Sequence, residues 1–481
     1  MASASCAFGR PAWLASPLAA TLAALFVQLP AAAQDPEREV LPEQRHALAF
    51  VSPTGLAPLG GKMLFSAFHI ASGQELWVTD GSSAGTTLLK DIRPGFRGAF
   101  PTGQTAFKGH VYMTATDGES GLELWRTDGT AAGTSRVVDL RPGEEGAMPS
   151  ELTVFGDALY FVADDGRTGF QLWKTSGTAD TTVRVSSIDA GPRAVARQLT
   201  VAGRRLFFTA TTREHGHELW VTDGTPAGTR RVKDIRPGPE DAGIQALTAM
   251  GDHIYFTAHD GTHGTELWKS DGTEGGTRIV KDLRPGESPS RPSHLVAIGR
   301  TLYFAADDGV HGTELWKSDG TDSGTTLVKD IRAGSGGSIS SPLTTMNGRV
   351  YFAATDGASG AELWRSDGTA TGTVQVKDIA PGAKSGSPAR FAVIGSRLWF
   401  SANGGSATGV EPWISDGSPA GTRAVADVAA GPRNALPLGF RALGDAVLFA
   451  ADDGRGNERL WRRSKDGRVT LVGAPLKERL R

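Results

Sequence analysis

Residues 292–334 read PSHLVAIG, RTLYFAADDGVHG, TELWKSDGTDSG and TTLVKDIRAG, four short apolar segments separated by Gly- and Asp-rich turns. Inside each segment β-branched and aromatic residues alternate with polar ones at a period of two, as in a strand with one face buried. Gly provides left-handed backbone and Asp bonds to nearby amides, which is the chemistry of tight hairpins. No stretch of the repeats keeps a 3.6-residue apolar period over three turns, so the unit is a four-stranded antiparallel meander.

Trp316, inside this stretch, is one of a series: Trp77, Trp125, Trp173, Trp220, Trp268, Trp316, Trp364, Trp413 and Trp461, spaced 47–49 residues apart. Nine such units fill residues 52–475 and leave no room there for a separate catalytic domain. Repeated four-strand units of this length predict an all-β fold, a β-propeller built from nine ~48-residue four-stranded antiparallel repeats. Nine blades are preferred. Because propellers usually have roughly 4–8 blades, eight closed blades plus one displaced unit is the alternative. A linear β-solenoid is the rival architecture, with shorter coils and parallel strands. Residues 34–51 form an N-terminal segment whose stretch His46–Val51 is a candidate latch strand for the last blade, and 476–481 form a C-terminal tail.

The first 33 residues differ from the rest: Arg10 is their only charge, an apolar stretch runs from Trp13 to Leu29, and Ala31, Ala32 and Ala33 precede Gln34. That is the pattern of a secretory signal peptide. Pro17 interrupts a run already shorter than the ~20 apolar residues of a spanning helix. Cys6 is the only cysteine, so cleavage leaves a cysteine-free chain without disulfides. The expected location is the periplasm, the cell surface or the extracellular medium. Lys+Arg 50 against Asp+Glu 52 gives a net charge of −2 with no polybasic block, which argues against nucleic acid and against anionic membrane as partners.

Each Trp can bury roughly 150–250 Å² and is assigned to packing between blades. The Tyr residues 112, 160, 255, 303 and 351 each stand thirteen positions before a repeat Trp, with Phe207 and Trp399 in equivalent places, and are assigned to the core. After the Trp comes a turn of the form D-G-[ST]-x-x-G-T, with Asp80, Asp128, Asp223, Asp271, Asp319, Asp367 and Asp416 at its head. One carboxylate per turn is too few for a calcium ion, which takes roughly 6–8 oxygens, so turn stabilisation is the expected role.

The run Glu314-Leu315-Trp316-Lys317-Ser318-Asp319-Gly320-Thr321 resembles the ELWxxDGT repeat family of secreted bacterial proteins at every fixed position, and the resemblance covers nearly all of the chain after residue 33. It implies an extracellular repeat protein and lends no active site. Gln171, Ser176 and Pro412 depart from the pattern, and Arg459-Leu460-Trp461 is its last remnant. A weaker resemblance, through Ala306, Asp307, Asp308, Gly309, Gly312 and Trp316, is to the tryptophan-docking repeats of quinoprotein propellers. It implies the fold without the redox chemistry, for the processed chain lacks the cysteines of those enzymes.

An active site is needed once, so on a repeat scaffold it should break the repeat. His215, His263 and His311 recur in the same turn, and the paired acids Asp164-Asp165, Asp307-Asp308 and Asp452-Asp453 recur as well, so no catalytic residue, metal ligand or cofactor is nominated. In an up-and-down blade the second-to-third and fourth-to-first connections share one face. That face gathers Asp260, His263, Asp308 and His311 from one connection and Arg236, Arg284 and Arg332 from the other. These seven are the candidate ligand-binding residues, suited to anionic or hydroxyl-rich groups. The expected function is a secreted non-catalytic binding or surface-interaction module for a glycan, peptide or protein. The alternatives are a polysaccharide-acting hydrolase or lyase on a propeller scaffold and a purely structural cell-surface protein. Terminal sequencing of the exported protein is expected to begin near Gln34; an exported product retaining residues 1–33 would contradict the signal-peptide reading.

Overall fold

The structure, a computed structural model, describes residues 51–189 and 196–473. The signal segment 1–33, most of the candidate latch segment and the tail 476–481 lie outside the described residues. All regular structure in the described residues is β. Nine sheets of four antiparallel strands follow one another, each with its strands in sequence order. The blades span 51–90, 102–138, 150–184, 197–231, 245–281, 293–329, 344–377, 389–424 and 438–472. In the sixth blade the strands are Ser293–Ile298, Thr301–Asp307, Thr313–Ser318 and Thr326–Lys329, the four segments expected from the sequence.

The first strands of successive blades lie side by side around the centre, and that of blade nine meets that of blade one. Nine apolar clusters fill the nine gaps between neighbours. Ile254, Phe256 and Trp268 of blade five pack on Leu219, Val221 and Val232 of blade four. The closing gap is built alike, with Leu448, Leu460 and Val472 of blade nine against Met63, Phe65 and Trp77 of blade one. The ring therefore closes with nine blades, and the eight-plus-one alternative is excluded. Each terminal blade supplies its own four strands, and Val51 opens blade one by pairing with Phe68.

The aspartate turns join the blades as well as ending hairpins. Asp319 Oδ1 accepts the amide of Thr321 at 2.8 Å and its hydroxyl at 2.7 Å. A Cβ on Gly320 would lie 2.1 Å from the hydroxyl of Tyr255 in the preceding blade, and the backbone there has φ +89°, so both contact and conformation demand glycine. Lys269 of the same preceding blade donates to Gly320 O at 2.6 Å. The tyrosines are thus core residues whose hydroxyl ends abut the next blade's turn. Trp268 is buried between blades, so Trp268→Ala should lower stability by about 3–5 kcal/mol. Chemical denaturation checks this, and wild-type stability in the variant would contradict the packing role.

Candidate functional site at the blade-nine rim

The glutamate of each Glu-Leu-Trp triplet is buried and pins the fourth-to-first connection. Glu218 accepts the amides of Ile235 at 3.0 Å and Arg236 at 3.1 Å, and Glu266 those of Leu283 at 3.2 Å and Ser290 at 2.8 Å. Burial pushes the carboxyls of Glu75, Glu123, Glu218, Glu266 and Glu411 up to about 7, against the opposing pull of these amides. In blade three Gln171 does the same work uncharged: its Oε1 accepts Ile188 N at 2.9 Å and its Nε2 donates to Ile188 O at 2.9 Å. The local sequence pattern around this position carries no sign of that role.

The seven expected ligand-binding residues lie in these connections and hairpins, mostly engaged with near neighbours. His263 Nδ1 is 2.8 Å from Asp260 and His311 Nδ1 is 2.7 Å from Asp308, bonds that raise both histidine pKa values. Arg284 reaches Asp307 at 3.3 Å, Arg236 pairs with Glu240, and Arg332 donates to Gly337 O at 3.5 Å. A Cβ on Gly309 would meet Arg284 Nε at 3.1 Å, so that arginine lies across the next blade's hairpin. The structure brings together Asp260 with His263 and Asp308 with His311, and distributes the sets blade by blade around the face.

Blade nine breaks this regularity. Asp452 and Glu458 are direct cross-strand partners, and no other register pair in the described strands opposes two acids. Such partners place their Cβ atoms roughly 4.5–5.5 Å apart. Asp452 Oδ1 accepts the amides of Gly454 at 2.7 Å and Gly456 at 3.0 Å, while its own amide donates to Ala435 O at 2.8 Å. Burial raises the Glu458 pKa; the Asp452 charge adds to the rise and Arg390 opposes it. Arg390 comes from the first strand of blade eight, holds a left-handed φ of 57° and donates to Leu436 O at 2.6 Å. A left-handed non-glycine residue costs roughly 1–2 kcal/mol, a cost that Gly55, Gly103 and Gly439 avoid at the same bulge in other blades. The pair was readable in principle, because Glu458 stands where Thr265, Thr313 and Val410 stand elsewhere. The missing information was the register that sets it opposite Asp452.

No family model and no curated protein matches the chain. Among solved structures it is similar to a puromycin hydrolase mutant in complex with PGG, at 17% identity over 80% of this chain and 61% of that one, TM-score 0.39. It is also similar to prolyl endopeptidases, at 12% identity over 68% of this chain and 49% of that one, TM-score 0.42. A third is the β-propeller domain of the Trilobed protease from Pyrococcus furiosus, at 12% identity over 68% of this chain and 97% of that one, TM-score 0.36. The chain spans about half to three fifths of the first two. The expectation of a non-catalytic binding or surface-interaction module finds no counterpart among these solved chains, which are hydrolases and a protease propeller, and at such identities the likeness shows the fold alone.

The buried glutamates give the ring a pH dependence of definite sign. A folded-state pKa raised from 4.5 to about 7 means that the folded chain holds these protons more tightly than the unfolded chain. Stability conferred in acid is then lost as pH rises through that window. Melting temperature should fall between those pH values, and Glu218→Gln with Glu266→Gln should flatten the fall, as Gln171 shows that the amide fits. A rise across the window, or an unchanged slope in the double variant, would contradict the assignment.

Proposed function

We propose that the chain is a hydrolase of polysaccharide on a propeller scaffold, working at the rim of blade nine with Glu458 as general acid and Asp452 as its partner carboxylate. The observation that carries this reading is the opposed pair itself, with the pKa of Glu458 raised by burial. A carboxyl whose pKa is raised, set beside a second carboxyl, is the arrangement that can split acid and base roles between two like groups. Glu458 gives its proton to the glycosidic oxygen as the bond to the anomeric carbon breaks, and an Asp452 oxygen bonds that carbon. Water, deprotonated by Glu458, then releases the sugar and frees Asp452. Retaining enzymes of this kind hold their two carboxyl groups roughly 5–5.5 Å apart, and direct cross-strand pairing sets the two side chains of this pair side by side on one face of the blade.

Reducing-end release from a panel of neutral and acidic polysaccharides tests the reading. The wild type is expected to cleave at least one, with retention of anomeric configuration, and Glu458→Gln should lower the rate by about 10²–10⁴-fold at unchanged melting temperature. Asp452→Asn should also lose activity. Absence of cleavage across the panel, or full activity in Glu458→Gln, would overturn it.

A further inference from the structure

The inner wall of the ring is uneven. In blades nine, one and two, which are consecutive around the closed ring, the first-strand bulge carries Gly439, Gly55 and Gly103, whereas Glu151, Gln198, Ala246 and His294 fill it in the four blades that follow. Beside those glycines lies a cleft of about 610 Å³. That volume is in the range of pockets that hold small ligands. The space that a Cβ on Gly55 would need is taken by the carboxamide of Gln104 from the next blade, 2.0 Å away. The glycine thus admits a polar group to the wall.

Among the described residues, Arg441 from blade nine and Glu151 from blade three are the only charged ones lining the cleft, and both are exposed. Between them stand Gln104 and threonine hydroxyls, interspersed with leucine side chains such as Leu56 and Leu152. Opposite charges cancel, so this wall has no electrostatic preference for an anion, unlike the arginine-rich outer connections. A guanidinium, a carboxylate, an amide and hydroxyls together can serve both the donors and the acceptors of hydroxyl groups. The leucines meet apolar C–H faces.

The cleft and the acid pair share blade nine and are linked through one pair of strands. Leu438, which lines it, pairs with Ala450 in the strand that ends at Asp452. We propose that the cleft is a substrate subsite for a neutral, hydroxyl-rich oligosaccharide, one that positions a polysaccharide chain across blades nine to three so that a glycosidic bond reaches Asp452 and Glu458. The assignment rests on the hydrolase reading for its purpose and on the cleft's own chemistry for its ligand class.

The test is isothermal titration of the Glu458→Gln protein, in which substrate would not turn over. The probes are hexasaccharides of β-1,4-glucan, β-1,3-glucan, α-1,4-glucan and β-1,4-mannan, with oligogalacturonate as the anionic comparison. At least one neutral hexasaccharide should bind more tightly than oligogalacturonate. Arg441→Ala and Glu151→Gln, added singly, should each weaken it about tenfold or more without moving the melting temperature, since each removes a charge-assisted bond at an exposed position. Failure of every neutral hexasaccharide to bind, tighter binding of oligogalacturonate, or unchanged affinity in both variants would overturn the subsite. Binding with these losses in a protein whose wild type releases no reducing ends upholds the subsite and removes the hydrolase reading. Cleavage by the wild type with cleft variants of undiminished affinity removes the subsite alone.

Discussion

Burial of one blade's tryptophan and aromatic strand against the apolar face of the blade before it is the constraint on which everything else rests. A single four-stranded meander has two apolar faces and cannot cover either by itself. Phe256 and Trp268 need Leu219 and Val221, and in turn Leu267 of the same blade needs Leu302, Phe304 and Trp316 of the next. The requirement propagates around the ring until Trp77 of blade one meets Leu460 and Val472 of blade nine. Closure leaves neither face of any blade without a partner. The inter-blade bonds from Lys269 to Gly320 and from Lys317 to Gly368 then fix the rotation of each blade on its neighbour.

Much of this is local, and local chemistry is legible in a sequence. The tryptophan spacing, the Asp-Gly turns and the tyrosines thirteen residues upstream each follow from one unit and its neighbour, and the structure places them as the pattern implies. What could not be read depends on register or on the path of a connection. The glutamate of Glu-Leu-Trp is an example: its amide donors stand seventeen and eighteen residues on, as Ile235 and Arg236 do from Glu218, outside the strand that carries it. Asp452 and Glu458 are another, since only the pairing of the second and third strands makes six residues of sequence into direct neighbours. The cleft was further still from view. It needs closure of the ring to set Gly439 and Gly55 in adjacent blades.

Near-symmetry also decides where chemistry can reside. The histidine and aspartate pairs of blades five and six are equivalent, and their bonds are used within their own turns. A one-off site has to come from positions the interfaces leave alone, which are the hairpin ends and the inner-strand bulges. Blade nine differs at the hairpin end, and at the bulge it carries glycine as blades one and two do. Arg459 replaces the buried glutamate, Glu458 replaces a neutral residue, and Gly439 opens the wall beside them. Arg390 from blade eight lies near enough to act on the Glu458 charge. Blade nine thus combines several departures from the repeat, while the repeat itself holds the ring.

Ionisation of Glu458 tests this account most directly, and it can be followed by the ¹³C shift of its carboxyl group in selectively labelled protein. A midpoint above the ordinary glutamate value, falling when Asp452→Asn removes the facing charge, is the predicted result. A midpoint at or below the ordinary value, insensitive to Asp452, would mean that the two carboxyls do not share a site, and the blade-nine rim would lose its claim to the chemistry.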